Sequence, residues 1–242
     1  MRIALVQSSD LENGKITRDE LRALIEKESK PGDFWILPEV FDTGWNVSKS
    51  TDFYGKRNVE FFSSLSQTFG ISICGSFYEK IYDKYLNRFC AISRDGSQYL
   101  GGKRHLFGNF EKGSVMPVES ILNFQIDGIV FRAVVCYDLR FPVWCRNKRP
   151  HYDALICVSQ WPLLRQADRH LLLAARAVEN VAYTINANGL GTSAVYDPHG
   201  QNMLTMDPSI QVGFFELDSE SVPEIRQHKK YLLDADDFSI RY

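Results

Sequence analysis

The sequence predicts an α/β protein in which two β-sheets pack face to face with helices outside them. Three observations carry that expectation. About ten strand candidates are mixed with four or five helix candidates, too many strands for a simple doubly wound sheet. Several strands are apolar on both faces, so each needs cover on each side. The opening of the chain reads as strand, helix, strand, a βαβ unit that starts a parallel sheet.

Arg2 to Gln7 is a compact apolar run with a polar end, a first strand. Ile16 to Ser29 places Ile16, Leu21, Leu24 and Ile25 at helical spacing, and Pro31-Gly32 stops it. Phe34 to Leu37 is a second buried strand, closed by Pro38-Glu39. Lys56 to Phe69 is a helix, apolar at Val59, Phe62, Leu65 and Phe69, with Gly70 as its C-terminal stop. Ile71 to Tyr78 and Arg88 to Arg94 are strands, and Arg94-Asp-Gly-Ser97 is a hairpin signal leading to Gln98 to Leu100. His105 to Val118 reads as a loop, longer than the architecture needs.

Two strands flank the Asp127-Gly128 turn, and the second, Ile129 to Val135, runs straight into Cys136. Phe141 to Lys148 reads as a short helix, and Ala154 to Ser159 as a strand ending in Gln160-Trp161-Pro162. Leu164 to Tyr183 is the longest helix candidate, and Leu171, Leu172, Ala175, Val178 and Ala182 form its expected apolar face. Thr184 to Ala187, Ser193 to Tyr196 and Gly213 to Leu217 are strands, with Asp197-Pro-His-Gly200 turning between the last two. Ser219 to Lys230 starts a helix, and residues 231–242 read as a polar-ended extension. No linker, repeat or low-complexity segment interrupts the chain, so residues 1–242 are expected to form a single domain.

Composition narrows the function classes. A hydrophobic content of 44% and a charged content of 24% are ordinary for a globular protein. The net charge of −2 makes no case for nucleic acid or an anionic membrane surface. No apolar run is long enough to span a bilayer, and the N-terminus turns polar too soon for a signal peptide. Five scattered cysteines, without a C-x-x-C pair, argue against a disulfide framework and against a zinc site. A cytoplasmic protein with reduced thiols and no metal or other cofactor is expected.

Three polar residues each follow an apolar strand: Glu39, Lys103 and Cys136. Taken singly, a strand-end cysteine more often fills core, and a lone Glu or Lys there is more often solvated. Together they supply a complete reaction. A thiol near its reference pKa needs a base, and a shielded Glu39 can take its proton. Lys103 can offset the charge of a tetrahedral intermediate beside the backbone N–H that follows the nucleophile. That chemistry is acyl transfer from an amide.

The segments around these residues resemble the three signatures of the carbon–nitrogen hydrolase (nitrilase) superfamily. They are Pro38-Glu39-Val40-Phe41, Gly102-Lys103-Arg104-His105-Leu106-Phe107 and Cys136-Tyr-Asp-Leu-Arg-Phe-Pro142, in that order. Met1 to Gln7, Ser159-Gln-Trp-Pro162 and Ala175-Arg-Ala-Val-Glu-Asn180 extend the likeness over most of the chain. The resemblance implies an α-β-β-α sandwich of two mixed sheets covered by helices. It implies Cys136 as nucleophile, Glu39 as general base and Lys103 as oxyanion stabiliser. Glu111 stands at the place of a second glutamate that positions Lys103 or the substrate, and Tyr137 at the oxyanion-hole N–H.

Within the superfamily the segments look closest to the omega-amidase branch, which hydrolyses terminal amides of dicarboxylate monoamides such as 2-oxoglutaramate and 2-oxosuccinamate. The expected partner is thus a small-molecule amide, and a homodimer is expected. Such a substrate carries a carboxylate for a cation to grip, with Arg104 and Arg165 as candidates. Phe41, Trp45 and Trp161 are candidate pocket walls, while Asp138, Arg140, Arg176 and Glu179 read as structural ion pairs. Three rival readings stay open. A Cys-His protease would need His105, a binding protein would have lost turnover, and nitrile, aliphatic-amide or carbamoyl hydrolysis would use the same three residues.

Overall fold

The computed structural model describes residues 1–236. Strand β1 (Arg2–Val6) leads to helix α1 (Arg18–Glu28), whose N-terminus is closed by a reciprocal Thr17–Glu20 capping box. Strand β2 (Phe34–Ile36) returns parallel to β1, so the opening βαβ unit is present. Helix α2 (Lys56–Phe69) ends at Gly70, which takes the left-handed conformation at φ 64°. Strand β3 (Ser72–Ile81) is parallel to β2 and forms a long hairpin with β4 (Lys84–Ile92). Strand β5 (Gln98–Gly102) pairs antiparallel with β4 across the expected Arg94–Ser97 turn.

The stretch read as a loop from His105 to Val118 differs from that expectation. It contains helix α3 (Gly108–Ser114) and a two-residue strand β6 (Val115–Met116) beside β4. Its helical turn is too short, and too interrupted by glycine, to leave a periodic apolar signal.

Strands β7 (Leu122–Ile126) and β8 (Ile129–Val135) form a hairpin whose turn residues Asp127 and Gly128 both have positive φ, as a type I′ turn requires. Helix α4 (Pro142–Cys145) follows, then strand β9 (Ala154–Ser159), parallel to β8. Helix α5 (Gln166–Asn180) crosses back to strand β10 (Tyr183–Asn188), parallel to β9. Strand β11 (Ala194–Tyr196) pairs antiparallel with β10 and with β12 (Asn202–Thr205). Strand β12 was absent from the sequence expectation, and the Asp197–Gly200 turn joins β11 to it. Strand β13 (Val212–Glu216) crosses over to pair with β1, and helix α6 (Ser221–His228) follows. Of the extension expected over residues 231–242, positions 237–242 lie outside the described residues.

The first sheet runs β13-β1-β2-β3-β4-β5 with β6 beside β4, and the second β12-β11-β10-β9-β8-β7. Both are mixed, and strand alternation decides what each face meets. Ile3, Leu5, Phe34, Ile36 and Phe89 of the first sheet meet Phe131, Ala133, Ile156 and Ile185 of the second in one shared core. Ala4, Val6, Trp35 and Ile73 face outward and are covered by Leu21 and Ile25 of α1 and Phe62 and Leu65 of α2. Val134, Leu155 and Cys157 lie under Trp144 of α4 and Leu173 and Ala177 of α5. This is the helix-sheet-sheet-helix sandwich, and it explains why the strands are apolar on both faces. Among the described residues, no helix is long and apolar enough to cross a membrane.

Helix α5 turns a different face inward from the one its apolar stripe suggests. Arg169, Leu173, Arg176, Ala177 and Asn180 are buried, whereas Leu171 is 72% exposed and Val178 38%. The inward face is partly polar because its side chains satisfy buried oxygens: Arg176 Nε donates to Leu139 O and Arg169 to Thr192 Oγ1. Hydrophobic periodicity alone misplaces such a face.

Phe131 lies between Phe34 and Phe124, with ring centroids at 5.2 and 5.6 Å. Replacing Phe131 with Ala should destabilise the protein by about 3–5 kcal/mol, measured by urea unfolding; a loss below ~1 kcal/mol would place the shared core elsewhere.

Candidate active site

Three strand ends come together at one place. Glu39 lies just beyond β2, Lys103 directly after β5 and Cys136 directly after β8. Val40 and Cys136 both have positive φ, 42° and 49°. That conformation is strained for any side chain with a Cβ, above all a β-branched one, and costs about 1–3 kcal/mol at each position. Hydrogen bonds hold both turns. Val40 N–H donates to Ser76 Oγ at 3.0 Å, and Val135 N–H to Asp138 Oδ2 at 3.1 Å. The Cys136 turn continues as a 3-10 helix through Arg140.

The Lys103 ammonium donates to Glu39 Oε1 at 2.8 Å and to Glu111 Oε1 at 2.9 Å, with all three side chains no more than 2% exposed. Glu39 Oε1 also accepts from Asn87 Nδ2 at 2.8 Å, while Glu39 Oε2 is buried without a protein partner. Glu111 Oε2 accepts from Phe107 N–H at 2.5 Å, which closes the first turn of α3. Two carboxylates thus face one ammonium in a dry environment. Burial opposes the Lys103 charge, but Glu39, the Cys136 sulfur and Glu111 outweigh it and hold the ammonium well above the usual lysine range. Burial raises the Glu111 carboxyl against the pull of Lys103.

Cys136 is 5% exposed. Burial first, and then the Glu39 charge, push its thiol well above the usual range, while Lys103 and the Gln160 backbone N–H pull the other way. The thiol is therefore held protonated at neutral pH, with a partnerless carboxylate oxygen in the same cluster. Gln160 ties these parts together, since its Nε2 donates to Glu39 O at 2.6 Å and Gly14 O at 2.8 Å. Glycine is required at position 14: its φ is +68°, and a Cβ would fall 2.0 Å from Gln160 Oε1.

A cleft of about 200 Å³ opens above Cys136, walled by Trp45, Phe107, Tyr137, Gln160, Trp161 and Pro162, with Arg140 and Arg165 also on its lining. Arg140 lies over the Trp161 ring at 4.8 Å and Arg165 over the Phe107 ring at 5.5 Å.

Of the residues singled out in the sequence, Glu39, Lys103, Glu111 and Cys136 share this cluster, and Tyr137, Trp45, Trp161 and Arg165 line the cleft. Phe41 and Arg104 do not. Phe41 is fully buried against Phe62 under the first sheet, and Arg104 turns toward the Val118 carbonyl. Asp138 meets His105 rather than Arg140, while Arg176 pairs with Glu179 and Arg140 with Asp168. Arg140, read from the sequence as a purely structural charge, also faces the cleft.

Sequence reading missed Tyr78 and Asn87, which are cross-strand partners in the β3–β4 hairpin. The phenol of Tyr78, raised by burial and then by the Glu111 and Glu39 charges, feels all four groups of the cluster. Asn87 stands beside Arg88 in the polar first half of β4, just before the strand expected from Arg88, so its neighbours do not mark it.

Asp138 joins two of the turns. Its fully buried carboxylate accepts from His105 N–H and faces His105 Nδ1, both at 2.8 Å, besides the Val135 N–H. It fastens the backbone after Lys103 to the residue before Cys136, and His105 stacks on Phe141 at 3.6 Å.

A family model described as "Carbon-nitrogen hydrolase" matches residues 2–227. The chain is 29% identical over 226 residues to "Omega-amidase YafV" of Escherichia coli, covering 86% of each chain. It is 27% identical over 238 residues to "2-oxoglutaramate amidase" of Bacillus subtilis, covering 90% of this chain and 91% of that one. A crystal structure of a CN-hydrolase superfamily protein from Xanthomonas campestris, with an arsenic adduct in its active site, superposes with a TM-score of 0.90 at 31% identity. That match covers 100% of this chain and 99% of the other.

Replacing Asp138 with Asn turns an amide N–H₂ toward donors and should cost about 1–3 kcal/mol in urea unfolding, the range for leaving a buried hydrogen-bonding group unsatisfied. A neutral result would show that the two turns stand without the bridge. Burial pushes the thiols of Cys90 and Cys145 from about 9 up to about 12. The unfolded chain therefore ionises first, and the stability present below pH ~9 should be lost as pH rises toward 12. A urea midpoint that stays level across that window contradicts the assignment.

Proposed function

The chain belongs to the carbon–nitrogen hydrolase family, and from that premise we propose that it cleaves the terminal carboxamide of a small dicarboxylate monoamide through a cysteinyl thioester. It is a hydrolase acting on carbon–nitrogen bonds. One observation carries the finer reading. The thiol with its Glu39–Lys103–Glu111 cluster lies at a cleft of about 200 Å³ whose lining also holds two guanidiniums, Arg140 and Arg165. A carboxamide needs the first group, and a distal carboxylate favours the second. Relatives named omega-amidase and 2-oxoglutaramate amidase support it.

Cys136 Sγ attacks the amide carbon while Glu39 Oε2 takes the thiol proton, because the resting thiol is protonated and no free thiolate accumulates. The tetrahedral oxyanion is met by the Lys103 ammonium and the Tyr137 backbone N–H. Glu111 keeps the ammonium aimed. Glu39 returns its proton to the nitrogen, the C–N bond breaks and ammonia leaves, with a thioester on Cys136. Water, deprotonated by Glu39, attacks the thioester, and the acid departs as the thiol recovers its proton. We read the exposed Leu164, Leu171 and Val178 as the contact of the expected homodimer. The five unpaired cysteines fit a reducing cytoplasm.

The test is ammonia release from 2-oxoglutaramate, succinamate, glutamine, butyramide, a nitrile and an N-carbamoyl amine. Carboxylate-bearing monoamides should exceed butyramide in kcat/KM by about a hundredfold. Preference for the nitrile, carbamoyl or uncharged amide would replace the reading. Cys136→Ala should abolish turnover with the fold intact, and acid quenching of the wild type should leave the acyl mass on the Cys136 peptide. EDTA should leave the rate unchanged. Turnover by Cys136→Ala would sink the thioester route.

A further inference from the structure

We propose that Asp168 is the positioning residue of this cleft, holding the Arg140 guanidinium in the pose that receives the substrate's distal carboxylate. The inference rests on the dicarboxylate-monoamide reading and adds a residue outside the cleft to it.

The two arginines of the cleft are held differently. Arg140 is fixed at two points. Its guanidinium carbon lies 4.8 Å from the Trp161 ring centroid, and its Nη2 donates to Asp168 Oδ2 at 2.9 Å. It closes the same 3-10 turn that begins with Cys136, so its backbone is tied to the thiol. The Arg165 guanidinium has a contact with the face of Phe107 at 5.5 Å and, among the described residues, no hydrogen bond or ion pair.

Asp168 is suited to hold its partner. It lies in the first turn of α5, where the exposed N–H groups favour a carboxylate. A guanidinium has five donors in one plane. Trp161 lies against the guanidinium and Asp168 occupies one donor, which leaves other in-plane donors for a second carboxylate. A long side chain already fixed in this way loses less rotamer freedom when substrate binds.

An opposing effect has to be weighed, because the Asp168 charge also repels the substrate carboxylate. Its side chain is 60% exposed, against 31% for Arg140, so water screens that repulsion. The direct hydrogen bond that orients the guanidinium is not screened in the same way. Orientation wins, and the sign of the effect on KM follows from it.

The experiment compares wild type, Asp168→Ala and Asp168→Asn with 2-oxoglutaramate and with butyramide, which lacks the carboxylate. For 2-oxoglutaramate, Asp168→Ala should raise KM about tenfold and leave kcat within about twofold. Asp168→Asn keeps an oxygen that accepts from the guanidinium and should recover most of that loss. Butyramide kcat/KM should be the same in all three proteins. An unchanged or lower KM in Asp168→Ala overturns the proposal, and so does an equal loss with butyramide, which would mean general damage. Wild type without preference for the carboxylate-bearing amide instead defeats the functional reading, and the proposal with it.

Discussion

The ammonium of Lys103, shared by two carboxylates out of reach of water, is the constraint on which the rest of the site depends. An ion buried alone would cost several kcal/mol, and its attraction to partners repays that only when the geometry is good. Here the three members come from separate places: Glu39 from the turn after β2, Lys103 from the end of β5 and Glu111 from the short helix α3. The cluster can form only when the sandwich is assembled, because no two of its members are neighbours in sequence. Asn87 and the Phe107 N–H take up further lone pairs, and of the four carboxylate oxygens of Glu39 and Glu111 only Glu39 Oε2 is left buried without a partner among the described residues.

The surrounding fold is built to tolerate strain close to that cluster. Val40 and Cys136 keep left-handed backbones because Ser76, Asp138 and Gln160 grip the chain around them. Rigid strands deliver the backbone to the turns, and the turns aim the side chains off the strand axes. Mixed sheets with helices on both outer faces make this affordable, since the strand ends are anchored from both sides. The Lys103 cluster inherits its dryness from the same arrangement, and the cleft beside it has aromatic walls from four different segments.

Much of this is legible in the sequence alone. Strands apolar on both faces announced covered sheets, and Glu39, Lys103 and Cys136 stood out because each breaks an apolar run at its end. Glu111 could be placed only by likeness to a family, because nothing in its own neighbourhood marks a buried acid. Helix α5 was misread in its orientation. Its apolar stripe faces out at Leu171, whereas Arg169 and Arg176 go in to donate to oxygens of distant segments, and Asn180 goes in to accept from the Asn147 N–H. Phe41 and Arg104 were misassigned for a related reason, since adjacency to a signature residue says nothing about which way the next side chain turns.

The sequence by itself determined the layers, the order of the elements and the identities of the chemical groups. Those follow from local periodicity, from turn residues and from polar residues at strand ends, all carried within a few positions of the chain. Only the tertiary structure decided which arginines face the cleft, that Tyr78 and Asn87 join the cluster, and that Asp138 bridges two turns. Such choices depend on contacts between residues tens of positions apart, where small differences in packing and hydrogen bonding select one side chain over its neighbour.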